Sequence, residues 1–138
     1  MSQALLVGLS RTTRPQSALR RFLALDAVVT GANGLAYLAA SGPLGELLGI
    51  GSRLLLALGL LLTGYAAAVA WVASRPEPPV LGVKAVVDVN VLWVVLSVGA
   101  LVVHLDPTTA GLVWIPVQAA FVAGFAGLQW FALRAATR

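Results

Sequence analysis

Apolar residues run almost unbroken through four stretches of the chain, about Phe22 to Ala40, Leu54 to Ala73, Leu81 to Val103 and Gly111 to Leu133. Helix-breaking residues fall between them: Ser41-Gly42-Pro43, Ser74-Arg75-Pro76-Glu77-Pro78-Pro79 and Asp106-Pro107. Each stretch is close to the roughly 20 residues that carry a helix across a bilayer core of about 30 Å. Hydrocarbon offers the backbone no partners, so the segments must pair their own N–H and C=O groups as helices. The pattern predicts an all-α, four-transmembrane-helix bundle whose short loops set consecutive helices antiparallel. Residues 1–20 form a leader and residues 21–138 the transmembrane domain. Within the leader, Ala4 to Leu9 is too short to span, and is expected on the membrane surface or without structure. The first loop has two readings. Leu44, Leu47 and Leu48 follow helical spacing behind Ser41 as N-cap and Pro43, which suits a short interfacial helix. An ordinary glycine-rich loop suits the same residues.

Charge then orients the bundle. Arg11, Arg14, Arg20, Arg21, Arg75, Lys84, Arg134 and Arg138 fall on one side of the four segments, and Arg53 alone on the other. The positive-inside rule places the N-terminus, the second loop and the C-terminus in the cytoplasm, and the protein in the cytoplasmic membrane as a multi-pass chain. Phe22, Trp71, Trp130 and Phe131 are expected to form the cytoplasmic aromatic belt, and Tyr37 and Trp114 to sit at the outer interface. The run Ala36-Tyr37-Leu38-Ala39-Ala40-Ser41 has small residues suited to signal cleavage, but Asp26 interrupts the apolar stretch and the leader is long, so the first segment reads as a retained helix.

Composition narrows the function classes. The 138 residues are 59% hydrophobic and 10% charged, against about 25% charged in a soluble domain, which leaves too few charges for a water-facing surface. The net charge of +4 follows from topology. No basic helix with interleaved aromatics or nucleic-acid motif accompanies it, so nucleic acid is not an expected partner. Without cysteine there is no disulfide, thiol redox chemistry or thiolate metal site. His104 is the only histidine and Met1 the only methionine. Haem ligation and a zinc site therefore lack ligands, and no cofactor or metal is expected. His104 reads as an interfacial residue.

Polar residues inside the spans carry the remaining information. Asp26, Thr30, Asn33 and Tyr37 share one face of the first helix. Lys84 and Asp88 are one turn apart in the third, so they can pair directly, Asn90 and Ser97 share another face of it, and Gln118 and Gln129 share a face of the fourth. A lone charge at the centre of a spanning helix costs about 2.5–3.5 kcal/mol on insertion scales, so such residues turn inward and pair. By depth, Asp26, Lys84, Asp88 and Gln129 are expected to converge near the cytoplasmic edge with Arg21 above them. Asn33 and Asn90 complete the candidate polar cluster, as helix glue worth about 0.6–2 kcal/mol or as ligand contacts. The cluster reads either as a protonatable or ion-binding site or as a salt-bridge group that fixes helix register. Tyr65 and Trp93, near the midplane, are core packing or the wall of a lipophilic pocket. Small-residue rows at Ala27 and Gly31, at Gly59, Thr63 and Ala67, and at Ala119, Ala123 and Gly127 allow close helix approach. Pro116 is expected to kink the fourth helix.

No serine elbow, Walker loop, zinc-protease motif or dinucleotide fingerprint occurs. The runs Arg21-Phe22-Leu23-Ala24-Leu25-Asp26, Thr30-Gly31, Gly34-Leu35, Asn90-Val91-Leu92-Trp93 and Gln129-Trp130-Phe131-Ala132-Leu133-Arg134 give the chain beyond its leader a family likeness. It resembles a group of uncharacterised small four-helix integral membrane proteins of bacteria. The resemblance implies the fold and the inner membrane, and brings no activity with it. The small multidrug exporters also carry an acidic residue in the first of four helices. The chain departs from them in the shallow depth of Asp26, in Lys84 and in its one-sided charge. The leading expectation is a non-enzymatic accessory or interaction protein of the cytoplasmic membrane, in contact with the bilayer and with a membrane-protein partner or its own copies. The alternative is a small transporter or lipophilic-ligand binder using the polar cluster. A membrane enzyme ranks last, because His104 and the polar cluster of Asp26, Lys84 and Asp88 lie on opposite sides.

Overall fold

A computed structural model describes residues 3–103 and 106–137, with side chains from Gln16 onward. His104, expected at a helix end, and Arg138 lie outside the described residues, as do the side chains of Arg11 and Arg14. Five helices follow one another: α1 (Gln3–Ala39), α2 (Ser41–Leu48), α3 (Ser52–Ser74), α4 (Val80–Val103) and α5 (Thr109–Ala136). Four of them are long and apolar enough to cross a membrane, the crossing part of α1 being Gln16–Ala39. The protein is a helical membrane protein. α1 is helical from Gln3, so residues 3–20 of the leader run into the first span without a break in the helix. At 1.5 Å per residue it is roughly 55 Å long, well beyond the thickness of the hydrocarbon core.

Side-chain contacts fix the directions of the helices. Arg20 Nε donates to the Ala73 carbonyl at 3.1 Å near one end of α1 and α3, supplying a donor to a last-turn carbonyl with no helical partner. At their other ends Gly34 and Leu38 meet Gly59, so α1 and α3 are antiparallel. Trp114 Nε1 donates to Tyr37 Oη at 2.8 Å, and Gln129 reaches Asp26, so α1 and α5 are antiparallel too. The order around the bundle is α3, α1, α5, α4. The consecutive pair α3 and α4 scarcely touches, a departure from simple neighbour packing that leaves room between them. Apolar packing gathers at the two ends. Leu19, Leu23, Val69, Val83 and Leu133 form the core at the arginine-rich end, and Leu48, Leu55, Leu62 and Ile115 the core at the α2 end.

α1 and α3 meet backbone to backbone. A Cβ on Gly34 would stand 2.9 Å from the Thr63 nitrogen, and one on Gly59 2.9 Å from the Gly34 carbonyl. The expected small-residue rows run differently in space. In α3 Gly59 and Ala66 are buried whereas Ala67 is exposed, and in α5 Ala119 and Ala126 are buried whereas Ala123 is exposed. A four-residue step overshoots the 3.6-residue turn, so a row of three residues rotates out of the contact over its two steps.

The first loop is a short helix. Its N-cap is Ala40 rather than Ser41, with no side-chain bond, and Gly49 closes it at φ 71°, in the left-handed region that favours glycine. Its last carbonyls are satisfied from the α4–α5 loop. Thr108 N–H donates to Leu48 O at 3.2 Å, and Thr108 Oγ1 donates to Leu47 O at 2.5 Å while accepting from Gly111 N as the α5 N-cap. One threonine thus joins the end of α2 to the start of α5. α5 passes through Pro116 without a break in helix.

Gly34→Leu is expected to push α1 off α3, costing about 1–3 kcal/mol or more. Gly64→Ala, where an added Cβ meets nothing within 4 Å, should leave the melting temperature unchanged or slightly raised. Thermal unfolding of the two variants in mild detergent measures the difference.

Candidate functional site

Asp26, Asn90 and Gln129 are 1%, 2% and 0% exposed, the three buried polar side chains among the described residues. They meet between the two apolar cores. Asp26 Oδ2 accepts from Gln129 Nε2 at 2.7 Å and from Asn90 Nδ2 at 2.9 Å, and Oδ1 accepts from Thr30 Oγ1 at 2.9 Å. Asn90 Nδ2 also donates to Gln129 Oε1 at 3.1 Å. From α3, Tyr65 Oη reaches Asn90 Oδ1 at 2.9 Å and the Val86 carbonyl at 3.1 Å. Each long helix contributes at least one member. Tyr65 spans the gap where α3 and α4 stand apart, and its carbonyl contact ties it to the α4 backbone.

The direction of these bonds has chemical content. All three side chains donate to the carboxylate, which is the arrangement an ionised, acceptor-only Asp requires. Hydrogen bonds to an ionised group are about twice as strong as neutral ones. The donors are a hydroxyl and two amides, so the sole formal charge of the five-residue network is negative.

Above the network, toward the α2 end, lies a cavity of about 880 Å³. Thr30, Asn33, Tyr65, Asn90 and Gln118 are its polar lining, and Trp93, Trp114, Phe121 and Phe125 its aromatic walls. Val28, Val29, Leu61, Val89 and Phe121 both line it and are exposed on the outside of the bundle, so the space opens sideways onto the apolar surface. A second bond set holds the far wall. Trp93 Nε1 donates to Gln118 Oε1 at 2.8 Å, and Gln118 Nε2 donates to Ser97 Oγ at 3.3 Å and to the Ile115 carbonyl at 3.0 Å.

The structure brings together Asp26, Asn90 and Gln129, and sets Asn33, half-buried, on the cavity wall. It does not bring Lys84 and Asp88 to them. Both are exposed, on the outer face of α4, and Arg21 is exposed as well. Depth alone suggested convergence; azimuth forbids it. Asp88 and Asn90 are two residues apart, hence about 160° apart around the helix, so with Asn90 inward Asp88 points outward. Tyr37 and Trp114, expected at the outer interface, face each other inside the bundle near the α2 end. Tyr37 is buried, and the two side chains bind each other across α1 and α5. Thr30 and Tyr65 are the two network members outside the candidate cluster; the sequence places Thr30 on the Asp26 face and reads Tyr65 only as core or pocket wall, which it also lines. The midplane depth of Tyr65 was the signal, since a phenol hydroxyl in hydrocarbon needs a partner.

No family model, curated protein or solved structure matches the chain.

Asn90→Leu removes one donor to Asp26, leaves Gln129 Oε1 without its donor and takes the side-chain acceptor from the Tyr65 hydroxyl, which keeps only the Val86 carbonyl. It is expected to cost about 1–3 kcal/mol per unsatisfied group. Tyr65→Phe should cost less, about 0.5–1.5 kcal/mol. Melting temperatures in one detergent give the order, and equal effects would refute the shared network.

Proposed function

We propose that the protein binds an amphipathic lipophilic molecule taken from the bilayer, with its apolar body in the aromatic cavity and a cationic or hydrogen-bond-donating head toward the Asp26 network. The observation that carries this reading is the largely apolar cavity of about 880 Å³ whose polar floor is backed by a buried carboxylate. Small-molecule sites generally measure about 300–1,000 Å³, with mostly apolar walls and a few placed polar groups. Thr30, Tyr65 and Asn90 would touch the head group directly, and Asp26 would act from behind them through its charge. A low-dielectric surrounding screens that charge little. Aromatic faces at Trp93, Phe121 and Phe125 favour a cation over an anion for the same electrostatic reason. The sideways opening suits a ligand that arrives through lipid.

The role proposed is binding, and not catalysis. The carboxylate is engaged by three donors and shielded from the cavity, which suits orientation of a ligand better than attack on one. We place the termini in the cytoplasm and the chain as a four-pass protein of the cytoplasmic membrane, on the strength of the eight Lys and Arg on one side against Arg53 on the other. A second reading, an accessory or interaction protein, draws on a separate observation, the exposed Lys84 and Asp88 on α4.

Tetraphenylphosphonium and tetraphenylborate have nearly the same shape and opposite charge. In lipid nanodiscs the protein is expected to bind the cation about tenfold more tightly than the anion, a difference of about 1.4 kcal/mol. Asp26→Asn should erase the preference. Binding of both ions no stronger than to empty nanodiscs would overturn the proposal.

A further inference from the structure

The outer face of α4 carries a charge where a bilayer would touch it. Asp88 lies eight residues past Val80, about 12 Å along the helix, and is exposed, as is Lys84 one turn nearer the arginine-rich end. Lys84 has a stem long enough to carry its ammonium toward the interface. Asp88 has no such reach. The same face continues with Ala85, Leu92, Val95 and Gly99, all exposed, at alternating spacings of three and four. That is the spacing of a helix–helix seam, and its small members, Ala85 and Gly99, permit close approach. A Cβ on Gly99 would meet nothing within 4 Å, so its smallness answers no contact within the bundle.

We infer that this face of α4 is the interface of a homodimer, in which Lys84 of each copy pairs with Asp88 of the other. Copies inserted in the same direction relate by a two-fold axis along the membrane normal, so α4 packs parallel to its partner at equal depth. The positive and negative positions lie on one stripe about 6 Å apart in height. The symmetry then generates two reciprocal ion pairs and leaves neither carboxylate facing lipid. Cβ bonds tilt alike in both residues, so the difference in height is covered by the long, flexible Lys84 stem reaching toward the partner's Asp88. The stripe is complementary to itself, and a second copy supplies both charges with the right spacing. This interface is independent of the cavity, which lies on the opposite side of α4.

The absence of native cysteine makes the test clean. Single-cysteine variants Leu92→Cys, Val95→Cys and Gly99→Cys, oxidised in their own membranes, are expected to give disulfide-linked dimers. Phe121→Cys, on the exposed face of α5, should stay monomeric. Within Leu92→Cys, adding Asp88→Lys should lower the dimer yield about tenfold, since like charges now meet, and the swap Lys84→Asp with Asp88→Lys should restore it. Monomer at all three α4 positions, yields equal to Phe121→Cys, a cross-link to a different protein, or a swap that fails to restore the dimer would each overturn the inference.

Discussion

A carboxylate in hydrocarbon has to be satisfied by the protein, because lipid tails supply no donors. Asp26 meets that constraint by drawing one side chain or more from every long helix. Thr30 comes from its own helix, Asn90 from α4 and Gln129 from α5. Asn90 in turn takes the hydroxyl of Tyr65 on α3. The rotation and height of each helix follow from its duty to that one group. Apolar contacts cannot do the same, since the lipid tails offer a side chain nearly the same environment as the bundle interior.

The network also accounts for the cavity. Tyr65 holds α3 to α4 through a long side chain rather than by close packing, and the two helices scarcely touch. Small residues bring α1 and α3 together at Gly34 and Gly59, while α3 and α4 stay apart and their residues line the cavity. With one apolar core near α2 and another at the arginine-rich end, the middle of the bundle is left with a polar floor and aromatic walls. The proposed ligand site and the stability of the fold therefore share residues. Variants at Asn90 test both, whereas Asp26→Asn against an ion pair of matched shape separates charge from packing.

Much of the fold was legible in the sequence because bilayer thickness is a strong ruler. Four apolar runs of suitable length, with proline and glycine between them, leave little choice of element. The helical extension of α1 back to Gln3 was not legible, since the leader lacks an amphipathic pattern to mark it. In the site, Asp26 and Gln129 were singled out by depth, and Asn90 by its polar character in an apolar run. Lys84 and Asp88 were drawn in by the same depth argument, although no α4 rotation turns both Asn90 and Asp88 inward. Neighbour order around the bundle was also hidden. It depends on where glycine lets two backbones meet, and several glycines in these helices, Gly64 and Gly124 among them, meet nothing.

The most direct test is a solid-state NMR distance measurement in lipid bilayers, between the labelled side-chain carboxyl carbon of Asp26 and side-chain nitrogens. The account requires strong coupling to the amides of both Asn90 and Gln129, at separations under about 4 Å. Coupling of Asp26 to the Lys84 ammonium instead, with the two amides remote, would contradict it and restore the ion-pair cluster that depth alone suggested.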